Sequence, residues 1–330
     1  MESRFFMGYK YTMLFLRIIF IVSIVCLSFF GPYKAFLNSN PITDKNYIDV
    51  YEGSSMYAVL DNLKLSSLLN KLFFRIYLNT NSIKSFQAGE YNIENKDFKE
   101  IIDLLVKGKT YTHSLTIIEG MNVYDIEKEL ENSFLINDCS LLICIKTNYP
   151  FKEGVLYPDT YFYKKGMKAS DILIKSHNKL DHFLNTIWMN KPDSDILKNK
   201  YQALILASII EKEAGNHSEK KDIAGVFLKR ISIGMKLQAD PTIIYGLLPN
   251  FDGDIRKSDI LDKNNIYNTY MINGLPPTPI SISSMSSIEA AILSMPGEYL
   301  FFVANSPSSH YFSRTYDEHL DMIKKVGLDK

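Results

Sequence analysis

"ALILASIIEKEAGNHSEKKD", residues 203–222, begins as an almost unbroken apolar run and then sets two carboxylates, Glu211 and Glu213, one residue apart. On a helical wheel Ala203, Leu206, Ile209, Ile210 and Ala214 define one apolar face. Glu213 falls in the middle of that face, Glu211 lies on its flank, and Ser208 and Lys212 point the other way. Glu213 is therefore the misplaced charge, and helix geometry leaves two readings of it open. Gly215 can cap the helix, so that Glu213 reaches solvent beyond the core. Alternatively the apolar face opens into a cleft, where desolvation raises the carboxyl pKa and keeps the side chain as a general acid. Glu211 is expected to bond to a loop amide or to an arginine such as Arg230.

Outward from this run the pattern is mainly helical. Helices are expected over 169–188, over 195–214, and through "KKDIAGVFLKRIS" with Ser218 as its cap and a stop at Gly234. Further on, "YLFFVAN" (Tyr299 to Asn305) reads as a strand, "HYFS" (His310 to Ser313) as its hairpin partner, and "YDEHLDMIKKV" as a last helix. The fold class is α+β.

Toward the N-terminus two stretches look like copies of one unit. "VYEGSSMYAVLDNL" (Val50 to Leu63) aligns without gaps on "IIEGMNVYDIEKEL" (Ile117 to Leu130). Each reads as a short strand, a glycine turn and a capped helix, with Ser55 and Asn122 as N-caps and Asn122–Asp125 resembling a capping box. Between them, "SFQAGEYNI" reads as turn and strand, and "DFKEIIDLLVKGK" as an amphipathic helix ending near Gly108. This βααβ-like order suggests a small glycan-binding module of LysM type over residues 45–149, with a pair of packing units and no ligand as the alternative. Near Pro150 the texture turns aromatic and rich in Pro and Gly ("FKEGVLYPDTYFYKKGM"), so a boundary is placed there and a catalytic domain over 150–330.

From Thr12 to Gly31, "TMLFLRIIFIVSIVCLSFFG" is apolar except for Arg17 and a few small polar residues, and its length suits a bilayer crossing. A cleaved signal peptide is the rival, but "FFGPYKAF" lacks a small-x-small site, and bulky Val25 before Cys26 disfavours a lipoprotein cysteine. Residues 1–34 therefore read as a tail and a transmembrane helix. Arg4, Lys10 and Arg17 lie before or early in the span and Lys34 just after it, which places the N-terminus in the cytoplasm and the rest outside.

At 330 residues, 46% apolar and 22% charged, the chain is long enough for more than one buried core. Its 37 basic and 37 acidic residues balance, and no basic block exists beyond pairs such as Lys220-Lys221, so nucleic acid is not an expected partner. Cys26, Cys139 and Cys144 fit neither a zinc spacing nor a disulfide framework. A Cys139–Cys144 bridge is weaker here than two buried thiols. Without a paired or clustered set of ligands among the six histidines, no metal is expected.

Several motifs resemble, in order and spacing, the YceG-like endolytic murein transglycosylases: "LYPDTYFY", "ASIIEKEAG", "IAGVFLKRISIGMKLQADPTIIYG", "YNTYMINGLPPTPI" and "EYLFFVAN…HYFSRTYDEHL". The resemblance covers nearly the whole chain. It implies a single-pass inner-membrane enzyme, with a lysozyme-like catalytic helix and no cofactor, that cuts the MurNAc-GlcNAc bond of nascent peptidoglycan strands and leaves 1,6-anhydroMurNAc ends. The implied partners are glycan strands, membrane lipid, and peptidoglycan synthases and divisome proteins. In this family the catalytic glutamate precedes a small hydroxyl residue at a helix end. Here that position is Glu213, followed by Ala214, so a hydroxyl that would orient the acid is missing.

The implied mechanism uses one carboxyl where a glycoside hydrolase uses two. Glu213 protonates the glycosidic oxygen and then takes the proton of the MurNAc C6 hydroxyl as that oxygen closes onto C1. Glu211 is not expected to be the second carboxyl, because residues two apart on a helix diverge by about 160°. Asp240, before a proline, is expected to be an N-cap. Gln238, Thr242 and Tyr245 are candidates to line the sugar groove or to pack. The Asn268 amide is the favoured ligand for an N-acetyl group or the oxocarbenium-like centre, Tyr267 or Tyr270 for stacking on a sugar ring, and "GLPPTPI" is a stiff loop. His310 and His319, lacking a visible acid partner, and Asp159, a turn or cap residue, are read as structural. The rivals to the enzyme are a tethered glycan-binding scaffold and a lysozyme-like hydrolase.

Overall fold

The computed structural model describes residues 2–41, 43, 45–306 and 308–327, with the backbone alone for 2–12. The side chains of Arg4 and Lys10, two of the expected inside charges, therefore lie outside the described residues. The chain forms two compact units, Met1–Thr112 and His113–Lys330.

The first unit opens with α1 (Glu2–Leu37), whose stretch Met13–Leu37 is long and apolar enough to cross a membrane by length and composition. The helix does not stop at Gly31. Phe29, Tyr33 and Phe36, one turn apart, continue its aromatic stripe onto Phe73 and Phe98, with the Phe36 and Phe98 ring centroids 4.4 Å apart. The end of the apolar helix is thereby part of the module's own core.

After it come β1 (Tyr47–Val50), α2 (Ala58–Asn62), α3 (Leu68–Thr80), β2 (Gly89–Asn92) and α4 (Phe98–Lys107). β1 and β2 pair antiparallel, Tyr47 opposite Asn92, so the order strand, helix, helix, strand is realised within 47–92. Gly53 supplies the left-handed turn after β1 (φ 76°). Ser55 is not the cap of α2: its hydroxyl accepts from the Tyr57 amide in a local turn, and the helix starts at Ala58 with Tyr57 in the cap position. Asp97 and Glu100 make a reciprocal capping box for α4, and Gly108 ends it in the left-handed region.

The second unit contains β3 (His113–Ile117), α5 (Val123–Glu131), β4 (Asp159–Tyr163), α6 (Ala169–Trp188), α7 (Lys200–Glu213), α8 (Lys220–Ser232), α9 (Asp240–Leu247), α10 (Lys257–Ile260), α11 (Met285–Leu293), β5 (Phe301–Ser306), β6 (Ser309–Ser313) and α12 (Tyr316–Val326). The second sequence copy supplies β3 and α5, with the Asn122–Asp125 capping box in place. Its strand pairs with β4, a ladder that runs across the expected division at 149/150. Each copy keeps its local strand–turn–helix shape but finds its own partner strand.

Cys139 and Cys144 form a disulfide, which corrects the expectation of two free thiols. The 3-10 turn Ser140–Leu142 folds the five-residue spacing back on itself and brings the two Cα atoms to 5.0 Å, within bridging range.

The core of this unit is built around α7, which packs against α8 and α11. Leu204, Leu206, Ala207, Ser208, Ile209 and Ile210 are all buried. A helix enclosed on every side does not have a single apolar face, so the wheel understated its burial. α7 begins five residues later than expected, because the Asn199 side chain accepts from the Gln202 amide and fixes the N-terminus there. Ser218 is likewise not the cap of α8. The Asn216 side chain takes the amides of Ser218 and Glu219, and the helix starts at Lys220.

Candidate active site

Whether Glu213 leaves the core is decided by what covers the end of α7. Ala214 takes an extended conformation (φ −73°, ψ 120°), and Gly215 follows without a left-handed turn. Gly215 passes directly against Ser308, where an added Cβ would lie 2.8 Å from the Ser308 Cα and carbonyl carbon. The Asn216 amide also donates to the Ser308 carbonyl. The hairpin of β5 and β6 therefore closes over the helix end, and Gly215 is needed for that approach, not as a helix cap.

Glu213 sits in a cleft of about 350 Å³ within the second unit. Arg230 comes to it from α8, Asp240 from the start of α9, Tyr270 from the following loop, His310 from β6 and His319 from α12. Burial pushes the Glu213 carboxyl up to about 8, Asp240 pushes the same way, and Arg230 opposes them. At neutral pH that shift favours the protonated carboxyl.

Glu211, two residues earlier, is oriented away from this cleft. Its carboxylate accepts from the Ser284 amide at 2.9 Å, the Ser287 hydroxyl at 2.6 Å and Lys220 at 3.1 Å. Burial alone would raise its pKa, but the bonds from Ser284, Ser287 and Lys220 outweigh it and hold the group below the ordinary range. The loop amide was foreseen, whereas the cation is Lys220 and not Arg230.

Arg230 is buried, and its head bridges two carbonyls, Leu300 at 2.7 Å and Leu237 at 2.6 Å, beside the Phe301 ring. It fixes the floor of the cleft and carries its positive charge. Asp240 is not the N-cap expected of it. α9 starts at Asp240 itself behind Ala239, and the carboxylate instead accepts from the Tyr270 hydroxyl at 2.6 Å. That leaves a second carboxylate facing Glu213, and burial together with this bond to Asp240 pushes the Tyr270 phenol up.

The structure divides the other expected groove residues. Gln238, exposed and in the left-handed region (φ 50°), lines the cleft with Tyr270. Thr242 does not: it is fully buried, with its hydroxyl on the Ala239 carbonyl and on Thr269. Asn268 is also fully buried, and its amide donates to the carbonyls of Asp259, Ile260 and Asp262, so it ties the loop together and has nothing left for a sugar. Tyr245 donates to Glu153 at 2.8 Å. Tyr267 bonds to Thr278 at 3.0 Å.

Glu153, absent from the sequence reading, is 6% exposed. Burial raises it to about 7 against bonds from the Val123 amide, Tyr245 and the Gly154 amide. Asp159 pairs with Lys179 at 2.6 Å on the surface of β4.

His310 and His319 are cleft residues that the sequence reading set aside. His310 does have an acid partner, Glu219, 91 positions earlier in the chain, with its ring Nδ1 2.9 Å from the carboxylate. His319 stacks on Phe301 at 5.1 Å, and burial, then Arg230, hold it below the usual histidine range. No local signal pairs residues so far apart.

A carboxyl with a raised pKa in a cleft of mixed polar and aromatic lining, at the end of a buried helix of an α+β fold, has the chemistry that a general acid needs. The chain belongs to the YceG-like family, whose model matches residues 48–325. It is 29% identical to the endolytic murein transglycosylase of Bacillus subtilis (strain 168), covering 82% of each chain. It is 26% identical to the endolytic murein transglycosylase of Streptococcus pneumoniae (strain D39), over 91% of this chain and 63% of that one. A crystal structure of a yceG-like protein from Listeria monocytogenes superposes with a TM-score of 0.54 at 28% identity, covering 84% of this chain and 98% of the other.

Proposed function

We propose that the protein is a peptidoglycan lytic transglycosylase that cleaves the MurNAc-GlcNAc bond within nascent glycan strands, leaves 1,6-anhydroMurNAc ends and so limits strand elongation. The observation that carries this reading is the Glu213 carboxyl, raised to about 8 inside the cleft. A protonated acid at neutral pH is what departure of a sugar oxygen requires. Glu213 gives its proton to the glycosidic oxygen as the C1–O bond breaks, and its carboxylate then takes the proton of the MurNAc C6 hydroxyl as that oxygen closes onto C1. Asp240, facing the same cleft, supplies negative charge where the oxocarbenium-like centre develops. Gln238 and Tyr270 are the proposed sugar contacts. Orientation of the acid falls to Arg230 and the hairpin in place of the hydroxyl that Ala214 lacks.

The apolar helix α1 is the proposed membrane anchor, with the N-terminus in the cytoplasm and the rest of the chain outside. The disulfide Cys139–Cys144 suits that side of the membrane. The strand–helix–helix–strand order over 47–92 supports a glycan-holding role of LysM type for the first unit. Peptidoglycan synthases and divisome proteins are the proposed company of such an enzyme.

One observation favours a second reading. Asp240 gives the cleft a second carboxylate, as a lysozyme-like hydrolase would need. Digestion of purified glycan strands followed by mass spectrometry separates the two. Anhydro ends support the transglycosylase and reducing ends the hydrolase. A Glu213→Gln protein that still cuts strands would sink both.

A further inference from the structure

The loop after Glu213 and the hairpin that covers it are fastened at several points. Besides the Gly215 and Asn216 contacts to Ser308, Glu219 holds His310 twice: one carboxylate oxygen accepts the His310 backbone amide at 2.8 Å and the other faces ring Nδ1 at 2.9 Å. The two side chains are 11% and 12% exposed. The Phe302 ring stands edge-on to the imidazole at 5.4 Å. An ionised carboxylate only accepts hydrogen bonds, so the contact puts a proton on Nδ1, and in the neutral ring of that tautomer Nε2 is the acceptor. His310 lines the same cleft as Glu213. The cleft thus sets a carboxyl and an imidazole side by side, the imidazole held by Nδ1 in the tautomer whose Nε2 can accept a proton, the pairing expected of an acid and its base.

We propose that His310, positioned by Glu219, is the base of this site: its Nε2 takes the proton of the hydroxyl that attacks the anomeric carbon. This rests on the reading of Glu213 as the acid and divides between two residues the work that one carboxyl would otherwise do. The C1–O4 bond breaks with its electron pair going to O4, which takes the Glu213 proton. The C6 oxygen forms the new bond to C1, and its proton passes to Nε2. The imidazolium, held against the Glu219 carboxylate, returns that proton to the Glu213 carboxylate through solvent before the next turnover. The other charged and titratable groups around the cleft are Arg230 from α8, Asp240 from α9, Tyr270 from the loop, and Tyr316 and His319 from α12.

The test is the pH dependence of strand cleavage by the full-length protein, comparing wild type with Glu213→Gln, His310→Ala, His310→Gln and Glu219→Gln. His310→Ala is expected to lose about 10²- to 10⁴-fold in kcat with little change in KM, the range for a general base. Added imidazole should restore part of that loss. The acidic limb of the wild-type profile should disappear in His310→Ala. Glu219→Gln should lose less and keep an acidic limb, now displaced. His310→Gln retains a side chain that can bond to Glu219, so if His310→Ala does not fold, His310→Gln with an unchanged melting temperature and the same loss of kcat supports the proposal. Wild-type kcat in either His310 variant, while Glu213→Gln is inactive, overturns the proposal and leaves the acid in place. A loss in folded His310→Ala that imidazole does not relieve, with the acidic limb intact, also overturns it. An active Glu213→Gln would instead overturn the reading of the site itself.

Discussion

The Tyr270 hydroxyl donates to the Asp240 carboxylate at 2.6 Å, and this bond holds a second negative charge in the cleft of Glu213. Asp240 is the first residue of its helix and not its cap, and it contributes to the high pKa of the neighbouring acid. Replacing Asp240 with Asn removes a charge that makes ionisation of Glu213 unfavourable. The pKa of Glu213 should then fall, and the alkaline limb of the kcat/KM profile should move below about 8. A profile with an unmoved alkaline limb would show that Asp240 does not act on Glu213.

Arg230 acts in the opposite direction and also satisfies two carbonyls. Arg230→Met should cost about 3 kcal/mol, since it strands buried acceptors. It should also move the alkaline limb upward, because the cation that favours the Glu213 carboxylate is gone. Urea melts and a pH profile read the two effects separately.

The two glutamates at the end of α7 should respond to pH with opposite signs. The Glu213 pKa in the fold lies above its ordinary 4.5, so the fold binds the proton more tightly than the unfolded chain does. That stability is complete below about 4.5 and is lost as pH rises to about 8. Glu213→Gln should therefore gain on wild type across that window. Glu211 is depressed, so its contribution is present above 4.5 and fades as pH falls further. Glu211→Gln should lose about 3 kcal/mol near neutral pH by breaking its pair with Lys220. Thermal melts across the pH range should give curves that diverge in these two senses.

Gly215→Ala should uncouple the hairpin from the helix end. The new methyl would lie 2.8 Å from backbone atoms of Ser308, which cannot rotate away as a side chain can. Strand cleavage should fall by more than about tenfold while the rest of the second unit stays folded, because a displacement of about 1 Å at a reacting site is worth that much or more. Normal cleavage would show that the hairpin does not help to build the cleft.

Loss of the Cys139–Cys144 bridge, by reduction or by Cys→Ser at both positions, should cost about 2 kcal/mol, as expected for a loop this short. Denaturant melts with and without reductant measure it, and identical midpoints would mean the bridge does not contribute.

Much of this was legible in local sequence. Periodicity located α4, α6, α12 and the hairpin of β5 and β6, because each is set by neighbours within a few residues, and in the structure Asp97 with Glu100 and Thr315 with Glu318 cap α4 and α12. The apolar setting of Glu213 was visible on a wheel, and its likeness to a family selected it as the acid. Asn268 failed as a sugar ligand because the signal was chemical type alone. An amide looks the same in a sequence whether it faces a groove or three carbonyls.

The sequence by itself determined that the chain has an apolar N-terminal helix, a mixed α+β body and a carboxyl placed among aliphatic residues. Only the tertiary structure decided that this carboxyl stays in a cleft, where Arg230, Asp240 and Tyr270 converge on it from later elements. It also decided that Asp240 faces the acid and that Glu219 finds His310. Burial and charge pairing are properties of space, and they arise here between residues far apart in the chain, such as Glu213 with Asp240 and Glu219 with His310.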